Sequence, residues 1–383
     1  MFASRVTLND IARATGLSRS GVSRALRNDP RVPAATCERV QAIARKLGYR
    51  PDPELSAALR LLRERKAGRY VETLAFLSWH EDRIERAGNL YTRRLFHGAR
   101  THAEALGYRL EEYWAREPGM TPRRLQSVLV NRGVRGVLAG PVADEDSRTF
   151  AFAWERFSVV AATAAFPDVT MHRARPRNFE NSRLALAEAH ALGYRRIGLM
   201  LDDYVNERSA HAIRSAYLDY QYTRAGLPRL PVLELRGLGP DPGPESARAP
   251  EAEPEYKRFA AWRLKHRPDV ILASRVVFYE WLRRARLRVP AEVGFISLEG
   301  VNEGQAFSHI DQHPDRVGAA GIDLLIAVLN HNTRGVPGEA LMVTVAGAWA
   351  PGASTRRQPP HGAASSTRRS RAALPVFPEQ QPE

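Results

Sequence analysis

The sequence feature that most constrains this chain is a run of three short helical patterns within residues 6–51. Residues 8–15 repeat apolar side chains at the spacing that places them on one face of a helix. Gly16 interrupts this pattern, and Ser18 stands where its hydroxyl would cap a second helix that ends near Leu26. Two short helices about a glycine turn predict a helix-turn-helix.

The packing of this helix-turn-helix follows from three side chains. Small Ala12 lets the two helices approach, Gly16 suits a turn that needs a positive φ, and branched Val22 locks the second helix onto the first. A third helix is predicted over residues 34–47. It is expected to close an all-α core with Val40, Ile43, Ala44 and Leu47.

The positive charge of the chain is concentrated in its first part. The 383 residues carry a formal net charge of +15, and residues 1–69 hold fifteen Lys and Arg against six Asp and Glu, a net charge of +9. Neutralisation of DNA phosphates needs such a basic segment and makes binding dependent on salt. A solvated arginine-rich surface is the alternative, but the charge falls on a helix-turn-helix pattern, which favours DNA.

Cysteine content and hydropathy favour a cytoplasmic protein. Cys37 is the only cysteine, so the chain can form no internal disulfide, and its place in the third helix predicts a buried apolar side chain. No apolar run approaches the length that spans a membrane, and the N-terminus lacks the apolar core of a signal peptide. We therefore expect no contact with a membrane.

The N-terminal segment resembles the DNA-binding domain of the LacI/GalR (lactose-repressor/galactose-repressor) family of bacterial transcription regulators. The matching residues form an ordered series, which is TLNDIA at 7–12, GLS at 16–18, VSRAL at 22–26, RV at 31–32, Thr36, RV at 39–40 and LGYRP at 47–51. The resemblance implies a sequence-specific regulator, a repressor, that binds an inverted repeat of double-stranded DNA as a homodimer. The DNA-binding domain is expected over residues 1–51.

The DNA contacts are expected at and around the second helix of the motif. In a helix-turn-helix the first residues of this helix reach base edges, and here they are Arg19, Ser20 and Arg24. Either arginine suits a bidentate contact to guanine. Gly21 stands where the family commonly has a phosphate-binding threonine. The expected contacts to the DNA backbone are Thr7, Ser18, Ser23, Arg31 and Thr36.

Residues 52–69 fall where the family has a hinge helix, which orders on operator DNA and inserts a leucine into the minor groove. Ala58 occupies the position of the inserted leucine, so Leu59 or Leu62 would have to substitute, and Leu59 is the predicted contact. The alternatives are a partly disordered linker or a helix that packs in a dimer.

From residue 70 the sequence alternates predicted strands and helices, which is typical of an α/β fold with parallel sheets covered on both faces. The family resemblance continues in GARTHAEALGY at 98–108, GYRRIG at 193–198 and VPAEVGFIS at 289–297. It implies a periplasmic-binding-protein-like sensor domain over residues 70–355, with two lobes joined by three crossovers.

The expected lobes are residues 70–165 plus 300–335, and residues 166–299 plus 336–355. A Pro/Gly-rich loop at 237–254 is too polar to pack in this core, and residues 356–383 are expected to form a disordered basic tail.

The effector is expected in the cleft between the lobes, at the carboxyl ends of the strands. Arg214 matches the arginine that holds ligand hydroxyls in sugar-binding members of the family, with Tyr217 in place of the usual glycine. Ser274 and Arg275 replace an Asn-Asp pair, and Glu299 replaces a later aspartate. The resemblance implies a small-molecule effector, a carbohydrate, contacted by Arg214, Ser274 and Glu299.

Two further candidates follow the first predicted strand of the sensor domain. Trp79 and His80 are placed either to stack on a sugar ring or to pack within the core. A possible metal site is formed by alternate residues that would share one face of a strand, His309, Asp311 and His313. The family has a crossover strand at this place, which favours a structural role for these residues.

No enzymatic activity, cofactor or metal is predicted, because the sequence has no Walker loop, no H-E-x-x-H and no G-x-S-x-G motif. Two alternatives remain to be weighed. The first alternative is a solute-binding protein without specific DNA binding, but the N-terminal helix-turn-helix motif would have no role in such a protein. A carbohydrate-processing enzyme would need Glu299 at a defined distance from Asp202 or Asp203, and no local pattern supports that geometry.

Overall fold

The structure is a computed structural model. It describes residues 8–26, 32–49, 72–86, 90–142, 150–163, 166, 169–224, 226–236, 247, 252–300 and 306–358. These residues form an N-terminal helical domain and two α/β lobes. Within the described ranges, no helix has both the length and the apolar character needed to cross a membrane.

The helical domain contains the three predicted helices, α1 (Leu8–Thr15), α2 (Arg19–Leu26) and α3 (Ala34–Lys46). Its core is formed by buried apolar side chains from all three helices, namely Ile11, Val22, Ala25, Cys37, Val40 and Ala44. Gly16 has the positive φ, 72°, that the turn requires. The prediction for Leu47 is wrong: it follows the last turn of α3 as the C-cap residue and is 39% exposed.

The first lobe is built from two parts of the chain. The first part contains β1 (Thr73–Ser78), α4 (Leu90–Ala105), β2 (Arg109–Trp114), α5 (Pro122–Asn131), β3 (Gly136–Ala139), β4 (Ser158–Ala162) and β5 (His172–Pro176).

In the sequence, most of the second lobe lies between the two parts of the first lobe. It contains α6 (Asn178–Ala191), β6 (Ile197–Asp202), α7 (Asp203–Arg208), α8 (Ala212–Thr223), β7 (Leu233–Leu235), α9 (Glu253–His266), β8 (Val270–Ala273), α10 (Tyr279–Arg284), β9 (Gly294–Ser297) and β10 (Ser308–Asp311). The chain then returns to the first lobe with α11 (Pro314–Asn330) and β11 (Met342–Val345), and ends in the second lobe with β12 (Ala348–Ala350).

Each lobe has one six-stranded sheet. The strand order is β11-β5-β4-β3-β1-β2 in the first lobe, where all neighbours are parallel. In the second lobe it is β12-β10-β9-β8-β6-β7, where only the β10–β12 pair is antiparallel. Central strands such as β3, β4 and β8 are buried along their whole length, as parallel strands covered on both faces must be. The predicted α/β fold class is confirmed.

The chain crosses between the lobes after β5, after β10 and after β11. The crossovers after β5 and after β11 lie side by side. The Arg177 N–H, after β5, donates to the carbonyl of Val345, the last residue of β11, at 2.9 Å. The Gly347 N–H donates to Asn181 Oδ1 at 2.8 Å. Backbone N–H groups at the crossovers are therefore satisfied by hydrogen bonds between neighbouring segments of the chain.

The predicted lobe boundaries are partly wrong. β5 and β11 belong to the sheet of the first lobe, whereas the sequence placed residues 166–299 and 336–355 in the second. β10 belongs to the second lobe, although the sequence began a return to the first lobe at residue 300. All three strands are short, and β5 and β10 carry charged or polar residues where β1 and β6 have long apolar runs, so their signal in the sequence is weak.

Candidate DNA-binding and ligand-binding sites

The candidate DNA-reading element is α2. The Gly21 N–H donates to Ser18 Oγ at 3.1 Å, so Ser18 caps this helix as the sequence predicts. Val22 and Ala25 are fully buried and fix α2 against the rest of the domain. Arg19 and Arg24 lie on the same helix and are exposed. Both guanidinium groups can therefore approach DNA while the helix stays packed.

The other predicted DNA contacts divide into two groups. Ser20 and Ser23 lie within α2, and Thr36 is half-buried in the first turn of α3. Thr7, Arg31 and Leu59 lie outside the described residues. The hinge helix predicted over residues 52–69 lies outside them as well.

The cleft wall of the second lobe is built where three strands end. β6 ends at Asp202, β8 is followed by Ser274 and Arg275, and β9 is followed two residues later by Glu299. The Asp202 N–H donates to Ser274 Oγ at 2.9 Å. The adjacent Val276 N–H donates to Glu299 Oε1 at 2.6 Å. The structure thus brings Ser274 and Glu299 to the same edge of the sheet.

A buried ion pair lies at the centre of this edge. Arg275 Nη2 is 3.2 Å from Asp202 Oδ1, and the two side chains are 7% and 1% exposed. The Val205 N–H also donates to Asp202 Oδ1, at 3.1 Å, so this carboxylate caps α7. Burial raises the pKa of Asp202 above its usual value, although Arg275 acts in the opposite direction.

Tyr204 links the ion pair to the end of α7. The guanidinium carbon of Arg275 lies 5.3 Å from the centre of the Tyr204 ring, and that of Arg208 lies 5.0 Å from it. Attraction between a guanidinium group and an aromatic ring holds both arginines near the ring. Sequence reasoning did not select Tyr204 or Arg208.

The remaining effector candidates lie elsewhere in the two lobes. Trp79 is 5% exposed and packs edge-on against Phe150 and Phe166, which favours the core-packing alternative for this residue. The His80 carbonyl accepts a hydrogen bond from Trp114 Nε1 at 2.7 Å. Trp79 and His80 are therefore parts of the first lobe, with Trp79 inside its aromatic cluster.

Arg214 lies on α8, and its Nη1 is 3.0 Å from Glu234 Oε1 on β7. Both side chains are nearly half exposed, and the structure does not bring Arg214 into contact with Ser274 or Glu299. Tyr217, one turn later, is buried, and its hydroxyl lies 2.9 Å from the Ile197 carbonyl and 3.1 Å from the Leu230 carbonyl. The residue that replaces a glycine of the family therefore anchors α8 to β6.

The groups considered for metal binding or catalysis are used structurally. Among the residues that the structure describes, no three His, Cys, Asp or Glu side chains are arranged to hold a metal ion. Asp311 binds Arg94 and the His313 N–H. Asp202 and Glu299, considered for sugar hydrolysis, are engaged by Arg275 and by the Val276 N–H.

The structure combines a helix-turn-helix domain that has exposed arginines with two parallel-sheet lobes joined by three crossovers. This combination is typical of DNA-binding regulators that carry a periplasmic-binding-protein-like domain. Residues 7–52 match the family model "Bacterial regulatory proteins, lacI family". Residues 186–355 match the "Periplasmic binding protein-like domain". The chain therefore combines a LacI-family helix-turn-helix domain with a periplasmic-binding-protein-like domain, the combination found in DNA-binding transcriptional regulators.

Two curated relatives agree with this assignment. The HTH-type transcriptional regulator PtxS of Pseudomonas putida is 24% identical over 334 residues, which cover 85% of this chain and 90% of PtxS. The maltose regulon regulatory protein MalI of Escherichia coli is 28% identical over 205 residues, 51% of this chain and 53% of MalI. Both relatives are named as regulatory proteins, the class that the sequence predicts for this chain, and neither is named as an enzyme.

Solved structures share the fold. The transcriptional regulator CelR, in complex with cellobiose, matches with a TM-score of 0.56 and 18% identity, covering 91% of this chain and all of CelR. The lac repressor dimer bound to operator and the anti-inducer ONPF matches with a TM-score of 0.52 and 16% identity, covering 92% of this chain and all of that one.

Proposed function

We propose that this regulator is a repressor whose affinity for operator DNA changes when a small molecule binds between its two lobes. One observation carries the proposal: α2 is capped by Ser18 and fixed in a packed core while Arg19 and Arg24 remain exposed. A rigid helix with exposed guanidinium groups is suited to read the major groove.

Within this proposal the two arginines contact bases, and a second group of predicted residues holds phosphates. Arg24 or Arg19 binds guanine through O6 and N7, which is worth about 1–3 kcal/mol of discrimination against another base. Ser20 also lies at the base edges and specifies weakly because its side chain is short. Thr7, Ser18, Ser23, Arg31 and Thr36 hold the helix in register, and Leu59 enters the minor groove at the centre of the operator. The net charge of +9 over residues 1–69 supports phosphate binding.

We further propose that the chain acts as a homodimer on an inverted repeat, in the cytoplasm. Two copies of α2 related by a twofold axis would read two half-sites. The lac repressor structure, which contains a dimer on its operator, supports this arrangement.

The effector is proposed to be a carbohydrate that contacts residues of both lobes, with Trp79, His80, Arg214, Ser274 and Glu299 as the predicted contacts. The cellobiose complex of CelR supports a sugar in this fold. A ligand that contacts both lobes stabilises their closed arrangement relative to the open one, and can shift DNA binding only by its difference in affinity for the two states.

Selection of bound duplexes from a random DNA pool, with full-length protein at near-physiological salt, tests the proposal. We expect an enriched inverted repeat, whose centre-to-centre distance gives the spacing of the two reading helices. The matched control is Arg24→Ala, for which the base preference at one position of each half-site should weaken. Salt-sensitive binding of every duplex without an enriched sequence would contradict the proposal.

A further inference from the structure

Positive charge is concentrated at the end of the second lobe that lies away from the cleft. The carboxyl ends of β6, β8 and β9 form the cleft wall, so the amino ends of these parallel strands lie at the far end of the lobe. The segments around these amino ends form one surface, which we name the basic pole. It consists of residues 192–196, 223–224, 226–229, 263–269, 286–292 and 356–358.

Hydrogen bonds join the first of these segments to the end of α9. The Arg195 and Arg196 N–H groups donate to the two carboxylate oxygens of Asp269, at 2.8 and 3.0 Å. Arg196 Nε donates to the Arg267 carbonyl at 2.9 Å, and its Nη2 donates to the His266 carbonyl. A backbone carbonyl does not neutralise a guanidinium group, so Arg196 brings its charge to this surface.

Residues 356–358 lie on the same surface. The Gln358 N–H donates to the Leu192 carbonyl at 2.7 Å. Arg356 Nη2 donates to the Ala291 carbonyl at 2.9 Å, in the loop that leads into β9. Arg356 and the residue after it are both exposed arginines. This segment therefore adds two guanidinium groups to the basic pole.

The charge of the basic pole differs from that of the rest of the two lobes. Its segments hold eleven Lys and Arg against two Asp and Glu. Elsewhere in residues 70–355 there are twenty-eight Lys and Arg against thirty-two Asp and Glu, a net charge of −4. A general excess of arginine would spread positive charge over both lobes. The concentration at one end is therefore a property of this surface.

The two carboxylates of the basic pole are already engaged. Asp269 accepts two backbone N–H groups, and an oxygen of Glu292 lies 3.3 Å from Arg288 Nη2. Lys265 and Arg357 are exposed, and within the part of the chain that the structure describes neither side chain has an ion pair or a hydrogen bond. Both charges are therefore open to a partner.

The pKa of a neighbouring histidine reflects the same charge. His190 lies in the last turn of α6, and burial is the main reason that its pKa falls below the usual value. The charges of Arg195 and Arg224 lower this pKa further. A bound polyanion would offset the repulsion that these cations exert on other positive groups.

The basic pole lies away from the place where the chain enters the first lobe from the helical domain. Glu72 directly precedes β1, at the amino end of the first sheet. Arg175 Nη2, near the carboxyl end of β5, contacts the Ser209 carbonyl, which follows β6 and α7. The carboxyl ends of the two sheets therefore face each other, and their amino ends point away from each other.

We propose that the basic pole is a second DNA-binding surface, which holds the phosphate backbone of a duplex other than the operator, so that one protein bridges two stretches of DNA. The inference goes beyond the proposed function and rests on it, because α2 has to hold the first stretch. Duplex DNA carries one negative charge per about 1.7 Å of its axis. Lysine and arginine side chains neutralise these phosphates without reading the bases.

DNA is favoured over other polyanions by its local concentration. While α2 holds an operator, neighbouring stretches of the same DNA stay close to the protein, which raises their effective concentration at the basic pole. A surface with a few open cations can then hold a second stretch that it would bind only weakly from free solution.

A capture assay with the full-length protein tests this inference. The selected operator duplex is fixed to beads and saturated with protein, unbound protein is washed away, and a fluorescent scrambled duplex is added at low salt. We expect these beads to capture the second duplex at least tenfold above beads that carry operator alone. Capture should fall steeply as salt is raised, because the release of counterions from the second duplex drives it.

Paired charge reversals locate the surface. Lys265→Glu combined with Arg357→Glu changes two exposed side chains of the basic pole and should lower capture at least fivefold. The matched control, Arg123→Glu combined with Arg316→Glu, makes the same change in net charge on exposed side chains of the first lobe. It should leave capture within twofold of the natural chain, and both variants should keep the affinity for the operator within twofold.

A second pair of substitutions keeps the test decisive if the first pair prevents folding. Arg267→Gln combined with Arg356→Gln removes two further charges of the basic pole and should lower capture at least threefold. No capture above the operator-only beads, or capture that neither pole variant lowers, would overturn the inference. Binding of the natural chain to phosphatidylglycerol vesicles without capture of any duplex would also overturn it, and would assign the surface to a membrane.

The outcome for the operator separates this inference from the proposed function. Specific operator binding without capture of a second duplex overturns the second surface alone. If no operator can be selected, the proposed function fails, and the scrambled duplex is titrated directly into each variant. Weaker binding by the pole variants than by the matched control then still supports the basic pole, and equal binding overturns it as well.

Discussion

Arg94 of the first lobe binds Asp311, the last residue of β10 in the second lobe, through two parallel contacts. Nη1 lies 3.1 Å from Oδ1, and Nη2 lies 3.2 Å from Oδ2. Arg94 Nη2 is also 2.9 Å from Asp315 Oδ1 at the start of α11. The arginine therefore contacts residues on both sides of the crossover between β10 and α11.

Loss of this crossover contact is expected to destabilise the protein in a pH-dependent way. Burial alone would raise the pKa of Asp311, but hydrogen bonds from Arg94 and the His313 N–H, with the charge of Arg94, hold it below its usual value. A lowered pKa contributes stability above the unfolded value of about 3.9, and the contribution is lost as pH falls through the folded value. Asp311→Asn should therefore lower the free energy of unfolding by about 1 kcal/mol at pH 7.

Urea unfolding followed by tryptophan fluorescence measures this effect. The difference in the free energy of unfolding between Asp311→Asn and the natural chain should become smaller below about pH 4. Arg288→Gln, which removes an exposed ion pair with Glu292, is the control and should have little effect. A difference that is constant from pH 7 to pH 3 would contradict the assignment.

The buried Asp202–Arg275 pair predicts the opposite dependence on pH. Arg275→Gln leaves a buried carboxylate without its cation and should cost about 3 kcal/mol of stability near pH 8. The pKa of Asp202 is already raised by burial and rises further without Arg275. Protonation of Asp202 then restores stability as pH falls, so the loss should be smaller at pH 5 than at pH 8.

A second substitution gives the control for this pair. In the double variant Asp202→Asn with Arg275→Gln no buried charge remains, so stability at pH 8 should exceed that of Arg275→Gln alone. An equal loss of stability at pH 8 for the single and the double variant would contradict this explanation. It would show that the loss comes from the packing of the arginine and not from its charge.

Glycines set the distance between α4 and α11. A Cβ atom at Gly318 would overlap the backbone carbonyl of Leu95, and one at Gly98 would overlap the backbone of Asp315. Because backbone cannot move aside as a side chain can, Gly318→Ala should destabilise the first lobe by about 3 kcal/mol or prevent its folding. Gly338→Ala, where a Cβ meets nothing within 4 Å, should change the melting temperature by about 1 °C at most.

Ser18 has two separable roles in this account. Ser18→Ala removes the cap of α2 and should lower the stability of the helical domain by about 1 kcal/mol. Ser18→Asp can still accept the Gly21 N–H, so helicity measured by circular dichroism should be retained. Its negative charge would repel a phosphate, and DNA affinity should fall. Unchanged DNA affinity for Ser18→Asp would contradict a phosphate contact at this residue.

The sequence predicts the DNA-binding domain more completely than the effector cleft. Ser18, Gly16 and Val22 each act through neighbours in the chain, so local spacing is enough to place the cap, the turn and the core contact. β5 was placed in the wrong lobe because its HRARP sequence carries charge at alternate positions and has few apolar residues. That strand carries Arg175, whose Nη2 donates to the Ser209 carbonyl of the second lobe.

Long-range pairing explains the other differences. Position in the family pattern selected Arg214, but its contact in the structure is Glu234 on a neighbouring strand, twenty residues later. The juxtaposition of Arg175 with Ser209 depends on how two lobes meet across a crossover, which no local pattern encodes.

The most direct test of the account is the equilibrium affinity of the full-length protein for the selected inverted repeat and for a scrambled duplex of equal length, measured by fluorescence anisotropy at physiological salt. We predict that the natural chain prefers the repeat by at least a hundredfold, and that Arg24→Ala reduces this preference about tenfold or more with little change on the scrambled duplex. Arg123→Ala should match the natural chain. Equal affinity of the natural chain for both duplexes would contradict sequence-specific recognition by α2.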